Sequence, residues 1–164
     1  MSDASVDEPP DSEFPTDDSL VEVVHATGHE HVTAEHASTF ELTTDDWLTP
    51  AGDCIVAVDA DRTPGDFDPA FRAACRDETA TIEARLTVET DDETLTETIT
   101  GRGDPGLTLR NDRSMVGRTS DYTDDQRTIL VGADRAAADL NRDLVAALAA
   151  GGELTLRLVV EPSG

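Results

Sequence analysis

Residues 80–100 read ATIEARLTVETDDETLTETIT, and they predict a β-hairpin. From Ala80 to Val88 apolar residues occupy every second position and polar residues the positions between, which is the period of a strand that buries one face. Asp91 and Asp92 mark the turn, and a threonine-rich second strand follows. An isolated hairpin is only marginally stable in water, so this segment indicates a larger antiparallel sheet.

The chain on either side of the hairpin contains further strands and two short helices. An apolar stripe from Phe67 to Cys75 predicts one helix, and a stripe from Ala137 to Leu148, capped by Asp134, predicts the other. We predict further strands at residues 20–26, 30–43, 54–58, 107–110, 114–117, 127–132 and 153–160. The pattern predicts an α+β fold in a single domain at residues 19–164, with a mainly antiparallel β-sheet or partly closed barrel of about eight strands and two helices. The sequence suggests no repeat of fixed period.

Residues 1–18 predict a disordered acidic tail. They carry seven acidic residues, three prolines and no basic residue. A segment with so few apolar side chains cannot bury enough surface to offset the entropy lost on folding. We therefore expect the tail to contribute solubility and the folded domain to begin at residue 19.

The charge of the chain indicates a protein adapted to concentrated salt. The formal net charge is −24, from 36 acidic and 12 basic residues, and every basic residue is arginine. Repulsion between carboxylates acts over about 10 Å in dilute salt but over only about 3 Å at molar salt. We therefore interpret the acidity as halophilic. The alternative, an acidic disordered interaction segment, conflicts with the regular apolar alternation over residues 20–161.

Composition also bears on location and partners. The N-terminus lacks the features of a signal peptide, and no apolar run approaches the length of about 18 residues that spans a membrane. Cys54 and Cys75 do not form a CxxC motif. We expect a cytoplasmic protein with no membrane partner, and the negative charge disfavours nucleic acid. The sequence indicates no particular protein partner.

All four histidines lie between positions 25 and 36, which makes this stretch a candidate metal site. His29 and His31 are two positions apart, so on a regular strand both imidazoles leave the same face. His25 shares their parity, and we predict His25, His29 and His31 as ligands of a transition metal such as zinc. Because Gly28 interrupts the strand, the alternative is one buried histidine and several exposed ones.

Asp53 and Cys54 follow a predicted turn at residues 49–52 and form a second candidate site. A thiol becomes a nucleophile when a nearby histidine stabilises its thiolate, and the histidine stretch supplies one if the two segments pair. Cys54, Asp53 and a histidine of this stretch are therefore catalytic candidates, with the histidine as general acid or base and Asp53 orienting it. The alternative is that Cys54 is a small core residue and that Asp53 bonds turn amides.

Residues 101–120 form a basic segment in an acidic chain. They contain four arginines and only two aspartates. Arginines close to glycines suit phosphate or carboxylate recognition, through bidentate hydrogen bonds and exposed backbone amides. We predict an anion site at Arg102, Arg110, Arg113 and Arg118. The alternative is that each arginine forms a structural ion pair with a nearby acid.

Several motifs in the chain resemble a known family. They are Gly-His at residues 28–29, His36 followed by Ser-Thr-Phe-Glu at residues 38–41, and Leu-Thr-Pro at residues 48–50 with Gly-Asp-Cys-Ile at residues 52–55. These segments resemble the archaeal family known as domain of unknown function 371, over residues 21–162. The resemblance implies an archaeal, cytoplasmic, single-domain protein and no particular activity. It favours His29, His36, Asp53 and Cys54 over His31, and these four can meet only if the chain bends or bulges between Gly28 and His31.

Three functional hypotheses follow from these candidates. In the first, the protein binds a small anionic ligand in a pocket of histidine, aspartate, cysteine and arginine side chains, and in an enzymatic version it acts on that ligand by acid/base chemistry. In the second, it is a noncatalytic protein-interaction module that uses a sheet edge or the acidic tail. In the third, it is a metal-dependent enzyme with histidine ligands. The sequence is compatible with an enzyme and with a binding protein.

Overall fold

A computed structural model describes residues 20–49, 51–123 and 125–161. The strands are β1 (Leu20–Thr27), β2 (Thr39–Thr43), β3 (Ile55–Ala57), β4 (Thr81–Glu89), β5 (Thr94–Arg102), β6 (Ser114–Arg118), β7 (Thr128–Leu130) and β8 (Glu153–Glu161). The helices are α1 (Pro69–Cys75) and α2 (Arg142–Ala149), and each follows a short 3₁₀-helix, at Pro64–Asp66 and at Ala137–Asp139. The predicted α+β fold is confirmed. The predicted disordered tail at residues 1–18 lies outside the described residues.

The first sheet contains four antiparallel strands in the order β1-β8-β4-β5. The hairpin predicted from residues 80–100 forms β4 and β5, with Glu89 opposite Thr94 at the turn. β8 pairs with β4 on one side and with β1 on the other. Every second side chain of β4 is buried from Ile82 to Val88, and those between them reach solvent. The alternation of apolar and polar residues in the sequence therefore matches the alternation of buried and exposed side chains in the structure.

The second sheet is smaller and has the order β3-β2-β6-β7. Its central strands β2 and β6 are antiparallel, and the short outer strands β3 and β7 run parallel to their neighbours. Phe40, Leu42 and Met115 point from it into the core and are fully buried. The two sheets are not closed into a barrel, so the open alternative of the prediction is the correct one.

Both helices pack on the core, but one was predicted with the wrong cap. Asp68 caps α1 by accepting the amide of Ala70 at 2.8 Å. The cap of α2 is Asn141, not the predicted Asp134, because the 3₁₀-helix occupies the turn between them. The carboxylate of Asp134 instead accepts the amide of Thr100 at 3.0 Å and ties the loop to β5.

Two predicted strands are wrong in extent. The strand predicted at residues 30–43 begins only at Thr39, and the one predicted at residues 107–110 is irregular. Ala34 has φ 50° and Leu109 has φ 53°, in the left-handed region, which no strand accommodates. The chain therefore leaves the sheet before β2 and again before β6.

The two halves of the chain share one topology, a duplication that the sequence pattern did not reveal. Each half runs through three strands, a 3₁₀-helix, an α-helix and a fourth strand, from β1 to β4 and from β5 to β8. Residues 58–62 read Val-Asp-Ala-Asp-Arg, and residues 131–135 read Val-Gly-Ala-Asp-Arg. A pseudo-twofold axis passes where Arg85 faces Arg157 in one sheet and where Glu41 faces Val116 in the other.

Matched side-chain contacts fix both halves in the same way. The carboxylate of Glu22 accepts hydrogen bonds from Arg62 and from the amide of Asp68. In the second half, Glu97 forms an ion pair with Arg135 and accepts the amide of Asn141 at 3.0 Å. These groups hold the turn before each helix against the first strand of its own half.

The ends of β1 and β5 also correspond. A Cβ at Gly28 would lie 1.9 Å from the carbonyl oxygen of Leu148, and one at Gly103 would lie 2.4 Å from that of Cys75. Only glycine permits such an approach between a strand end and the last turn of a helix. Each glycine therefore lets a strand of one half pack against the helix of the other.

Among the described residues no helix is long and apolar enough to cross a membrane.

Candidate functional site

A cavity of about 450 Å³ lies on the outer face of the second sheet. Its walls combine a polar part, an apolar part and two arginines. The first half of the chain contributes Glu41, Thr43, Asp45, Trp47, Leu48, Thr49, Gly52 and Ile55, and the second half contributes Asn111, Arg113, Ser114 and Arg127. The cavity therefore exists only where the two halves meet.

The alternation of β2 and β6 produces the floor of the cavity. Phe40 and Leu42 point inward, so Glu41 and Thr43 point to the opposite face of the sheet. Thr43 lies opposite Ser114 on β6, and both are buried although they are polar. The loop from β2 to β3 then forms the apolar wall with Leu48 and Trp47. Trp47 is the single tryptophan of the chain and is 55% exposed.

Glu41 is the centre of a polar network at the cavity wall. One of its oxygens accepts a hydrogen bond from the Cys54 thiol at 3.3 Å, and the other accepts Nη1 of Arg127 at 3.1 Å. Burial, together with the Glu41 carboxylate, raises the pKa of the Cys54 thiol to about 11. Cys54 is therefore a neutral thiol at neutral pH, a state that disfavours its predicted use as a nucleophile.

Arg113 is held at the cavity by Asp45. Its Nε and Nη2 atoms donate to the Asp45 carboxylate at distances from 2.7 to 3.3 Å. The hydrogen bond from Arg113 holds the pKa of Asp45 below its ordinary value, so the pair is charged at neutral pH. Asn111 accepts the backbone amides of Arg113 and Ser114, each at 2.8 Å, and so fixes the turn that presents the guanidinium.

Three of the four predicted catalytic residues lie near one another. The carbonyl of Asp53 accepts the amide of His36 at 3.3 Å, and Cys54 follows Asp53 in the chain. The His36 Nδ1 atom accepts the amide of Thr39 at 3.2 Å and lies 2.9 Å from its hydroxyl. Because Nδ1 accepts, the proton of the neutral ring is on Nε2. None of these three residues is among the side chains that line the cavity in the described part of the chain.

The histidines before His36 do not form a metal cluster. The chain turns between Gly28 and His31, as the sequence predicted, and His29 Nδ1 accepts the amide of His31 at 3.0 Å. His25 instead lies 3.3 Å from Asp61. In residues 20–49, 51–123 and 125–161, no group of three His, Cys, Asp or Glu side chains is arranged to hold a metal. Of the predicted set, the rings of His29 and His31 lie 5.2 Å apart between centroids, whereas His25 pairs with Asp61 and does not complete a three-ligand group with them.

The four predicted anion-binding arginines occupy different places. Arg113 lines the cavity, whereas Arg118 pairs with Asp125 at 2.6 Å. Arg102 lies 3.5 Å from Asp104. Arg110 is exposed and lies outside the cavity lining. The sequence-based set therefore contains one cavity residue and three that lie elsewhere.

Sequence reasoning did not identify Arg127, Glu41, Asp45 or Trp47 as site residues. Arg127 lies outside the basic segment, and Glu41 and Asp45 are two acids among many. For Arg127, the signal is the internal repeat. The Glu41 amide bonds the carbonyl of Cys54, and the Val116 amide bonds the carbonyl of Arg127, so Arg127 is the counterpart of Cys54.

Comparison with known proteins identifies related sequences. A family model described as Domain of unknown function (DUF371) matches residues 24–161. The uncharacterized protein MJ0206 of the archaeon Methanocaldococcus jannaschii is 36% identical over 138 residues, which cover 84% of this chain and 98% of the relative. The family model extends from the first strand to the last and includes every residue that lines the cavity.

Proposed function

The chain belongs to the DUF371 family, and from that premise we propose that it is a ligand-binding domain whose cavity holds a small anionic molecule between Arg113 and Arg127. The observation that carries the proposal is the convergence of two guanidinium groups, from separate loops, on one cavity. The chain as a whole is strongly acidic, with a formal net charge of −24. A paired arginine site within such a background is a local feature that solvent adaptation does not explain.

Both arginines retain donors for a ligand. A guanidinium has five N–H groups, and Arg113 uses those on Nε and Nη2 for Asp45. Arg127 donates from Nη1 to Glu41, and its Nε lies 3.6 Å from Asp125. The carboxylates therefore orient the two groups while leaving other N–H groups of each guanidinium for an incoming oxyanion. Direct hydrogen bonds of this kind still act in concentrated salt, where long-range attraction is screened.

The geometry favours binding over acid–base catalysis. The cavity is lined by no histidine among the described residues, and the neighbouring Cys54 thiol has its pKa raised to about 11. Ser114, Thr43 and Asn111 offer neutral hydroxyl and amide groups instead. Such groups orient a ligand, and the apolar wall at Leu48 and Ile55 covers the rest of it.

Trp47 provides the measurement. It is the single tryptophan and borders the cavity, so its fluorescence reports occupancy directly. The purified protein in concentrated KCl is titrated with inorganic phosphate, citrate and a series of phosphate esters. We expect a saturable change with at least one of them, and we expect Arg127→Met and Arg113→Met each to weaken binding by at least about tenfold, because each removes charged hydrogen bonds.

Arg110→Met is the matched control. It removes the same formal charge from an exposed site outside the cavity, so we expect its affinity to equal that of the wild type. Far-UV circular dichroism of every variant tests whether the fold is retained. Equal weakening by all three substitutions would mean that net charge, not the cavity, governs binding. Absence of a saturable change with every probe would contradict the proposal.

A further inference from the structure

The pseudo-twofold repeat places an aromatic ring at the same point of two corresponding loops. Trp47 follows β2 and Tyr122 follows β6, each two residues beyond a backbone hydrogen bond that recurs in both halves, Asp45 with Asp59 and Ser120 with Gly132. Trp47 is 55% exposed and Tyr122 is 49% exposed. Two large rings kept at the surface in equivalent positions suggest a shared use.

In the second half, the space beside the ring is filled by the protein itself. The flat guanidinium of Arg118 lies over Tyr122, 4.9 Å from the ring centroid. It donates to Asp125 at 2.6 Å and to the Thr128 hydroxyl at 2.9 Å. The Arg118 side chain is only 14% exposed, so this group occupies the site as a bound molecule would.

In the first half, two of the three corresponding residues have shorter side chains, and the space is open. The position of Arg118 is taken by Thr43, that of Asp125 by Gly52 and that of Thr128 by Ile55. All three line the cavity, together with Trp47. The cavity is thus the counterpart of the volume that the Arg118 side chain fills in the other half.

The charges around the open site indicate which flat group it accepts. The guanidinium of Arg118 pairs with the carboxylate of Asp125. In the first half, Gly52 takes the position of Asp125 and has no side chain. The other two carboxylates of the cavity, Glu41 and Asp45, are already paired with Arg127 and Arg113. A cation at the open site would therefore have no free carboxylate to pair with, whereas a neutral ring with polar edges needs none.

We infer that the ligand carries a neutral heteroaromatic ring that stacks on Trp47, in the place that the Arg118 guanidinium takes over Tyr122, and an anionic group that contacts Arg113 and Arg127. The chemical class is that of a nucleoside monophosphate. A cavity of about 450 Å³ is within the usual size range for such ligands. This inference rests on the proposed function, because it assigns the second part of the same ligand.

The test compares two probes that share a phosphate and differ in the ring. Adenosine monophosphate and ribose 5-phosphate are titrated by calorimetry into the full chain in concentrated KCl. Stacking of a base on an aromatic side chain strengthens binding by about tenfold. We expect the wild type to bind adenosine monophosphate more tightly than ribose 5-phosphate by this factor. Trp47→Ala should lose the difference and keep its affinity for ribose 5-phosphate, and Trp47→Phe should retain the difference.

Tyr122→Ala is the matched control, since it removes the equivalent ring from the half that has no open cavity. It is expected to leave both affinities unchanged. Equal binding of the two probes by the wild type, or an equal loss of both in Trp47→Ala, would overturn the stacking inference and leave the anion site intact. Failure of both probes to bind, while other anions bind at Arg113 and Arg127, would likewise overturn it. Failure of all anions would remove the proposed function as well.

Discussion

Replacing Glu22 by alanine should destabilise the fold more than any equivalent change of a surface acid. The Glu22 carboxylate is 7% exposed and accepts hydrogen bonds from Arg62 and from the amide of Asp68, at 2.6 Å for the amide. In Glu22→Ala, Arg62 keeps its bonds to the carbonyls of Val23 and Asp66 but loses its counter-charge. Removing one partner of a fully buried ion pair costs about 3 to 5 kcal/mol, and because the Arg62 side chain is 31% exposed we expect the lower end, about 3 kcal/mol, against a typical unfolding free energy of about 5 to 15 kcal/mol.

The repeat supplies an internal comparison for this change. Glu97 makes the same contacts in the second half, with Arg135 and the amide of Asn141, but its side chain is 15% exposed. Water reaches that site more easily, so we expect Glu97→Ala to cost less, about 2 kcal/mol. Glu83→Ala is the control, because Glu83 is 37% exposed and 3.8 Å from Arg85, and its cost should be within about 0.5 kcal/mol of zero.

Urea denaturation at constant KCl, followed by far-UV circular dichroism, measures all three variants. We expect the urea midpoint to be highest for Glu83→Ala, lower for Glu97→Ala and lowest for Glu22→Ala. The slope of the unfolding free energy against urea concentration should not change. The reasoning is refuted if Glu22→Ala unfolds within about 1 kcal/mol of the wild type, or if Glu97→Ala is the less stable of the pair.

Three other predictions concern the solvent, the Cys54 thiol and the Cys75 thiol. With a net charge of −24, the denaturation midpoint should fall steadily as KCl is removed, and a midpoint independent of KCl would contradict the halophilic interpretation. The Cys54 thiol, with its pKa raised to about 11, should react slowly with iodoacetamide at neutral pH. Glu41→Gln should accelerate that reaction several-fold, because it removes the adjacent negative charge and so lowers the pKa of the thiol. Cys75, whose pKa burial raises to about 12, should stay unmodified in the folded protein, and an unchanged alkylation rate in Glu41→Gln would show that the carboxylate does not control the thiol.

The first sheet was predictable from sequence because its strands are long and bury one face. Nine residues of β4 give enough alternation to recognise, and the same holds for β8. The outer strands of the second sheet have three residues each, too few to establish a period. The segment before β2 depends on Ala34 in the left-handed region and on distant bonds, such as that from the Ala138 amide to the His36 carbonyl. Those contacts leave no local pattern.

The candidate site was predicted in part for a similar reason. Arg113 was identifiable because its segment is basic in an acidic chain. Arg127 and Glu41 are far apart in sequence and meet only through the pairing of β2 with β6 and of β6 with β7. The internal repeat preserves backbone geometry more than residue identity, since residues 58–62 and 131–135 are its clearest common segment.

The exchange of strands between the two halves makes the domain a fused dimer. Every strand pair of the first sheet joins one half to the other, while the hairpin turn at residues 90–93 is the covalent link. Neither half alone can complete that sheet. A chain cut at this turn is therefore expected to fold only when its two fragments associate. A homodimer of the first half would place Cys54 and Ser38 where Arg127 and Arg113 now stand. The proposed anion site therefore requires residues that differ between the two halves, and a symmetric dimer of the first half would lack both arginines.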